Sequence, residues 1–229
     1  SYKEERKLGL SWSKRLSERS FLAVNGTLLT ANLAIKNGIG CHLGGGTHHS
    51  HFDYGAGFCV FNDLAYAALM LINNKIVKKI LIFDCDVHQG DGTARILEKN
   101  DNIFTCSIHC KKNFPLNKAQ SNLDIELEDH TNNTEYLNEI QKTIKFCVNS
   151  FKPDFVLYDA GIDIHKDDEL GKINIDDDGC LERDVLVLNF LKKLSIPVAT
   201  VIGGGYSKNK DELALRHSFV FNAANQVFG

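Results

Sequence analysis

Two carboxylates and an imidazole alternate at the end of one apolar run: Asp84, Asp86 and His88, in ILIFDCDVH (residues 80–88). If the chain stays extended there, alternate residues share a face. Two acids and an imidazole then project together from a hydrophobic strand, which is costly unless the charge is compensated. A divalent cation would compensate it, because carboxylate oxygen and imidazole nitrogen are ordinary zinc ligands. The same three groups also read as strand-end polar residues in solvent. The next residues, Gln89-Gly90-Asp91-Gly92, contain glycines that permit a tight turn, which would return another acid, Asp91, to the same place.

Three further segments carry groups of this kind. In GGGTHH (44–49), adjacent His48 and His49 would point to opposite faces of a plain strand, but a glycine-rich turn lets both face one cavity. A pair of imidazoles there suits catalysis or metal binding; structural or solvated histidines are the alternative. Asp163 follows the apolar run FVLYDA (155–160), a place where aspartate is commonly a loop residue or helix cap. Tyr206 ends the turn Gly203-Gly204-Gly205, where a tyrosine can also cap the edge of the core.

The elements that must position these groups follow from periodicity. Ile39–Leu43, Lys79–Val87, Ile103–Ile108, Phe155–Ala160 and Pro197–Ile202 are dense in Val, Ile, Leu and Phe, as expected for parallel strands covered on both faces. Leu123–Leu127 alternates and reads as an edge or connecting strand. Helical patterns lie between them. Phe21–Lys36 is followed by the stop signal Asn37-Gly38. Leu64–Ile72 comes next. Thr134–Phe151 has Leu137, Ile140, Ile144, Cys147 and Phe151 on one stripe. Leu181–Leu194 and a closing helix over Glu212–Phe228 complete the set. Repeated β–α units predict an α/β fold with a mainly parallel sheet and right-handed crossovers. Such sheets bind ligands outside the carboxyl ends of their strands, which is where the acids, imidazoles and tyrosine fall.

The chain's 229 residues and 43% hydrophobic content predict one domain, residues 1–229, with a sizeable core. A net charge of −3 and a pI near 6.3 argue against a dedicated nucleic-acid binder. No run of 18 apolar residues predicts a membrane span. The opening SYKEERKLGL lacks the features of a secretory signal. The seven cysteines are odd in number and form no C-x-x-C pair, so reduced, mostly buried thiols in a cytoplasmic protein are expected, with a nuclear location also open to a eukaryotic chain. The spacing of Cys106 and Cys110 finds no second pair to complete a structural zinc site. The sequence leaves the oligomeric state open.

Taken together and in this order, GGGTHHSHFDYGAGFCVFND (44–63), ILIFDCDVHQGDGT (80–93), SIH (107–109), YDAGIDIHKDDELG (158–171) and GGGY (203–206) resemble the histone deacetylase family. The resemblance implies its three-layer α/β/α arginase–deacetylase fold. The Y-D-A-G-x-D segment and Arg216-His217 look most like the class IV branch. The likeness runs from about Leu16 to the C-terminus; the family's N-terminal segment looks missing or shortened to Ser1–Arg15, and with it an acid that often binds substrate at the pocket rim.

What the resemblance implies is zinc-dependent hydrolysis of an acyl-lysine amide, in a peptide or protein, or of an acylpolyamine. Asp86, His88 and Asp163 would be the zinc ligands. His48 and His49 would stand beside the reacting water, oriented by Asp84 and Asp91. His49 would be the general base that then protonates the leaving amine, with His48 mainly electrostatic. Tyr206 would donate to the oxyanion. Phe58, Phe114 and Gly57 would line the acyl-lysine channel. A potassium ion would sit at Asp84, Asp86, His88, Ser107 and Ile108, partly on backbone carbonyls. One competing reading is an arginase-like dimanganese hydrolase, which needs a richer set of bridging aspartates. A nucleobase deaminase lacks support, because H-x-E and P-C-x-x-C are absent. The other competing class is a binding or structural homologue with an inactive site.

Overall fold

Six strands form one sheet in the computed structural model, which describes residues 1–229. They are β1 (Ile39–Cys41), β2 (Ile80–Asp84), β3 (Ile103–Cys110), β4 (Leu123–Leu127), β5 (Phe155–Asp159) and β6 (Val198–Val201), in the order β1-β6-β5-β2-β3-β4. Every pairing is parallel. The central strands β2 and β5 are buried along their whole length, which is why they read as continuous apolar runs rather than as alternating ones. Leu123–Leu127 is an edge strand, beside β3, and β1 forms the opposite edge.

The pleat divides the core into two layers. On one face Leu81, Phe83, Val156, Tyr158 and Val198 pack with residues of α5 (Asn133–Phe151), α6 (Asp177–Lys193) and α8 (Phe219–Phe228). On the other, Ile80, Ile82, Phe155, Leu157, Ala199 and Val201 meet α2 (Lys14–Asn37) and α3 (Asp63–Asn73). The architecture is the three-layer α/β/α expected. Burying one such side chain contributes about 1.5–3 kcal/mol. No helix is long and apolar enough to cross a membrane.

Several boundaries differ from the sequence expectation. The strand expected over Lys79–Val87 stops at Asp84, because side chains take over the hydrogen bonding: Asp84 accepts from the Asp86 N–H at 3.1 Å, and Asp86 from the His88 N–H at 2.9 Å. Such local bonds compete with ladder pairing and bend the chain. The closing helix is two helices, α7 (Lys210–His217) and α8, which meet at Ser218; its hydroxyl donates to the Leu215 carbonyl. The buried stripe of α5 runs through Tyr136, Ile140, Ile144 and Cys147, with Leu137 and Phe151 only half-buried. Helices α1 (Tyr2–Leu8) and α4 (Asp91–Leu97) had no clear sequence pattern; each is seven residues, too short for a periodic stripe. Six of the seven cysteines are buried.

One buried ion pair ties the core to the strand ends. Arg183, on α6, is fully buried and donates to the carbonyls of Gly161 at 2.7 Å and Ala160 at 3.0 Å, just beyond β5. Its Nε donates to Asp184 at 2.9 Å, and the Tyr158 hydroxyl donates to the same carboxylate. Arg183→Met removes those donors and strands a buried acid, so urea unfolding is expected to show a loss of about 3–5 kcal/mol.

Candidate metal and catalytic site

The loops after β1, β2, β3, β5 and β6 converge at the carboxyl end of the sheet. Strand order explains it: β6, β5, β2 and β3 are consecutive neighbours. Segments far apart in sequence therefore end side by side.

Asp86, His88 and Asp163 come together there, with one donor atom from each lying within 4.8 Å of the others. His88 Nδ1 is 2.9 Å from Asp163 Oδ2 and 3.1 Å from Asp86 Oδ1. All three side chains are buried. Their outer oxygens are held by backbone: Val87 N–H donates to Asp163 Oδ1 at 2.9 Å and Gly204 N–H to Asp86 Oδ2 at 2.7 Å. The glycines here answer to close approach. A Cβ on Gly204 would lie 2.3 Å from Asp163 Oδ2, and one on Gly161 would lie 2.6 Å from Asp86 Oδ2.

The charges are strongly perturbed. Burial and then the Asp86 charge push the Asp163 carboxyl up to about 7. Burial works against a charge on His88, but its bonds to Asp163 and Asp86 prevail and raise it to about 10. Burial likewise opposes ionisation of Asp86, yet His48 and His88 hold it well below the usual carboxylate range. The side chains by themselves balance their charge with protons. A divalent cation would supply the same compensation, and two carboxylates with one imidazole form a donor set that suits zinc.

Asp84 does not share the face of Asp86 and His88 that an extended strand would give it. The bend after Asp84 separates them, and Asp84 Oδ2 faces His48 Nδ1 at 2.8 Å. His49 Nδ1 faces Asp91 Oδ1 at 2.7 Å, with Asp91 in the first turn of α4. The two imidazole rings lie 4.2 Å apart and tilted, so the glycine-rich turn brings them side by side. Their charge states diverge. Burial disfavours the His48 cation, but Asp84 and Asp86 overcome it and raise His48 well above the ordinary imidazole range. Burial and the neighbouring His48 push His49 down to about 4, against the pull of Asp91.

Tyr206 lies with its ring centre 6.3 Å from that of His88 and 6.0 Å from that of Phe58. Its backbone N–H donates to Asp168 at 2.6 Å, and Asp168 also accepts from the N–H groups of Leu170 and Gly171. Burial, followed by Asp86 and Asp163, pushes the phenol upward, so it stays protonated. Phe114 meets His49 edge-on at 4.8 Å. A Cβ on Gly57 would lie 2.5 Å from the His49 ring. Phe58 and Phe114 are both 47% exposed, which places them at the surface rather than in the core. Ser107 is the register partner of Asp84 across β2 and β3, and both Ser107 and Ile108 are buried.

The sequence reading missed four residues of this neighbourhood. Asp159 is fully buried with neither carboxylate oxygen hydrogen-bonded, and it forms a second cluster with His48 and Asp84. Burial and the Asp84 charge raise it well above the carboxylate range. Asn113 Nδ2 contacts His88 Nε2 at 3.3 Å and the Leu170 carbonyl at 2.7 Å. His51 and Asp168 are the others. Only Asp159 carried a signal, as a strand-end acid in Y-D-A-G-x-D; the rest depend on loops whose paths no periodicity reveals.

Comparison with known proteins identifies the family and the fold. The chain is 44% identical over 226 residues to an uncharacterized protein of Picosynechococcus sp., covering 99% of this chain and 75% of that one. It is 31% identical to histone deacetylase 2 of Arabidopsis thaliana over 81% of its length, and 34% identical to the acetoin utilization protein AcuC of Staphylococcus aureus over 75%. It spans 49% of each of those two relatives. The fold matches an acetylpolyamine aminohydrolase from Burkholderia pseudomallei, with a TM-score of 0.76 at 18% identity, covering 91% of this chain and 63% of that one. It also matches the HDA15 HD domain, with a TM-score of 0.75 at 22% identity and the same coverage. The histone deacetylase domain profile matches residues 3–220. The chain therefore belongs to the histone deacetylase family.

Proposed function

We propose that this chain hydrolyses the amide of an acylated primary amine, an acyl-lysine or an acylpolyamine, with one zinc ion held by Asp86, His88 and Asp163. Family membership supports the reaction class. The observation that carries the finer reading is the buried Asp86–His88–Asp163 cluster standing beside the His48–His49 pair and Tyr206. A zinc ion held by these three residues would supply Lewis-acid polarisation of the acyl carbonyl and a more acidic water.

The chain's own groups do the rest. His49 has its Nδ1 on Asp91, which leaves Nε2 to take a proton. Its lowered pKa keeps it neutral at pH 7, as a base must be. His49 Nε2 removes a proton from the attacking water and returns it to the amine nitrogen as the C–N bond breaks. His48, raised and charged, stabilises negative charge without giving up its proton. The Tyr206 hydroxyl donates to the acyl oxygen as that oxygen gains charge. Phe58, Phe114 and Gly57 form walls suited to an aliphatic stem whose charge acylation has removed. Potassium at Asp84, Asp86, His88, Ser107 and Ile108 would offset the remaining carboxylate charge.

A second reading, with two cations, is favoured by the orphaned oxygens of Asp159 near His48 and Asp84. Against it, His48 Nδ1 is committed to Asp84. Metal analysis after zinc loading separates the two: one tightly held zinc per chain is expected, whatever the potassium content, and two divalent ions would favour the dinuclear site. A panel of acetyl-lysine peptide, long-chain acyl-lysine peptide and acetylpolyamine, compared by kcat/KM, tests the function. No turnover of any of them by the zinc-loaded chain would leave only an inactive homologue.

A further inference from the structure

Asp91 serves two histidines. Its Oδ1 faces His49 Nδ1 at 2.7 Å, and its Oδ2 faces His51 Nε2 at 3.1 Å. The chain turns tightly at 51–54, with the His51 N–H donating to the Tyr54 carbonyl at 2.9 Å. That turn stacks the His51 ring on the Tyr54 ring, with centres 4.4 Å apart and planes 22° apart. His51 is thus fixed in both position and plane, with its Nε2 aimed at Asp91.

Its surroundings differ from those of the other two groups. The His49 side chain is 6% exposed, Asp91 11% and His51 14%. His51 lines a cleft of about 870 Å³ between α1, α2, α3 and the 50–62 loop, to which Asp86, His88 and Asp163 do not contribute. The charged groups around it are few. Asp91 lies at its Nε2, Lys7 sits over the Tyr54 ring, and Glu4, Glu5 and Asp53 line the same cleft. Asp91 is also in the first turn of α4, where the helix dipole favours its anion.

We propose that His51 is a positioning residue of the hydrolysis, acting through Asp91 to fix the His49 imidazole in place. The assignment rests on the reading of His49 as the general base. A carboxylate with one donor can swing; one held at both oxygens by rings in fixed planes cannot. With the second donor gone, Asp91 is free to rotate, and the His49 ring that leans on it loses its fixed plane. Outer partners of this kind typically alter activity by about 10–100-fold.

The test uses the zinc-loaded full chain with two substitutions. His51→Phe keeps a ring to stack on Tyr54 but has no nitrogen; His51→Gln keeps a donor and loses the ring. For His51→Phe, kcat is expected to fall about 10-fold with KM changed less than about two-fold. His51→Gln should recover most of the rate. Equal zinc content and melting temperature show that each variant is folded.

A readout independent of turnover is the tautomer of His49 at fixed pH, read by NMR of protein carrying 15N-labelled histidine. The wild-type chain is expected to hold the proton on Nδ1, facing Asp91, and His51→Phe to show a mixture of the two tautomers. Unchanged kcat, or an unchanged His49 tautomer, would overturn the assignment. If the wild-type chain turns over no acylated amine, the hydrolase reading fails, while the His49 tautomer still decides whether His51 acts through Asp91.

Discussion

Replacing Asp163 by asparagine is expected to abolish tight zinc binding and to lower turnover by at least about 1,000-fold, since the metal's charge stabilisation is worth several kcal/mol. The asparagine can still accept the Val87 N–H bond that Asp163 Oδ1 receives, so the loop keeps its shape. What disappears is one of the two carboxylates facing His88 Nδ1. Metal analysis after dialysis checks the binding directly. A thermal melt gives a second measure: excess zinc should raise the midpoint of the wild-type chain, because a ligand that binds only the folded state stabilises it, and should leave Asp163→Asn where it was. The pH dependence has a definite sign. Zinc needs His88 deprotonated, and its partners hold that proton to about pH 10. Wild-type affinity should weaken as pH falls, with protons released on uptake. A variant that retained stoichiometric zinc would remove Asp163 from the ligand set.

Tyr206→Phe should leave zinc content intact and cut kcat by about 100–1,000-fold, the usual effect of losing one donor to a developing oxyanion. The ring has reason to stay in place. Its position is set by the backbone bond to Asp168 and by packing near Phe58 and His88, none of which involves the hydroxyl. KM should change little, because the bond strengthens only as charge develops on the acyl oxygen. A fall in KM-linked affinity with unchanged kcat would make Tyr206 a binding residue instead.

The two variants probe opposite halves of one site. In the first, a charge that must be compensated is removed; in the second, a neutral donor is removed whose proton burial keeps in place. His51 adds a third level, at which the geometry of a base is governed by a residue that touches neither metal cluster nor channel.

The strands and most helices were legible because burial on both faces leaves a direct mark on composition. ILIFD and FVLYD read as central strands, and they are. The chemistry-bearing types were legible for a related reason: acids and imidazoles at the end of an apolar run are expensive, so their presence signals compensation. The partition among them was not legible. Alternation grouped Asp84 with Asp86 and His88, whereas the bend after Asp84 hands it to His48. Strand periodicity cannot register side chains that replace ladder bonds.

By itself, then, the sequence determined the layered parallel architecture and the set of residue types gathered at one end of it, because hydrophobic burial and the cost of buried charge act through local pattern. Only the tertiary structure decided which acid serves which imidazole, that Asp159 is buried without a hydrogen-bond partner, that Arg183 anchors the loop carrying Asp163, and that one carboxylate joins His49 to His51. Those pairings span up to 75 residues, as between His88 and Asp163. They depend on which strands become neighbours and how loops bend, and neither is encoded in any contiguous stretch of chain.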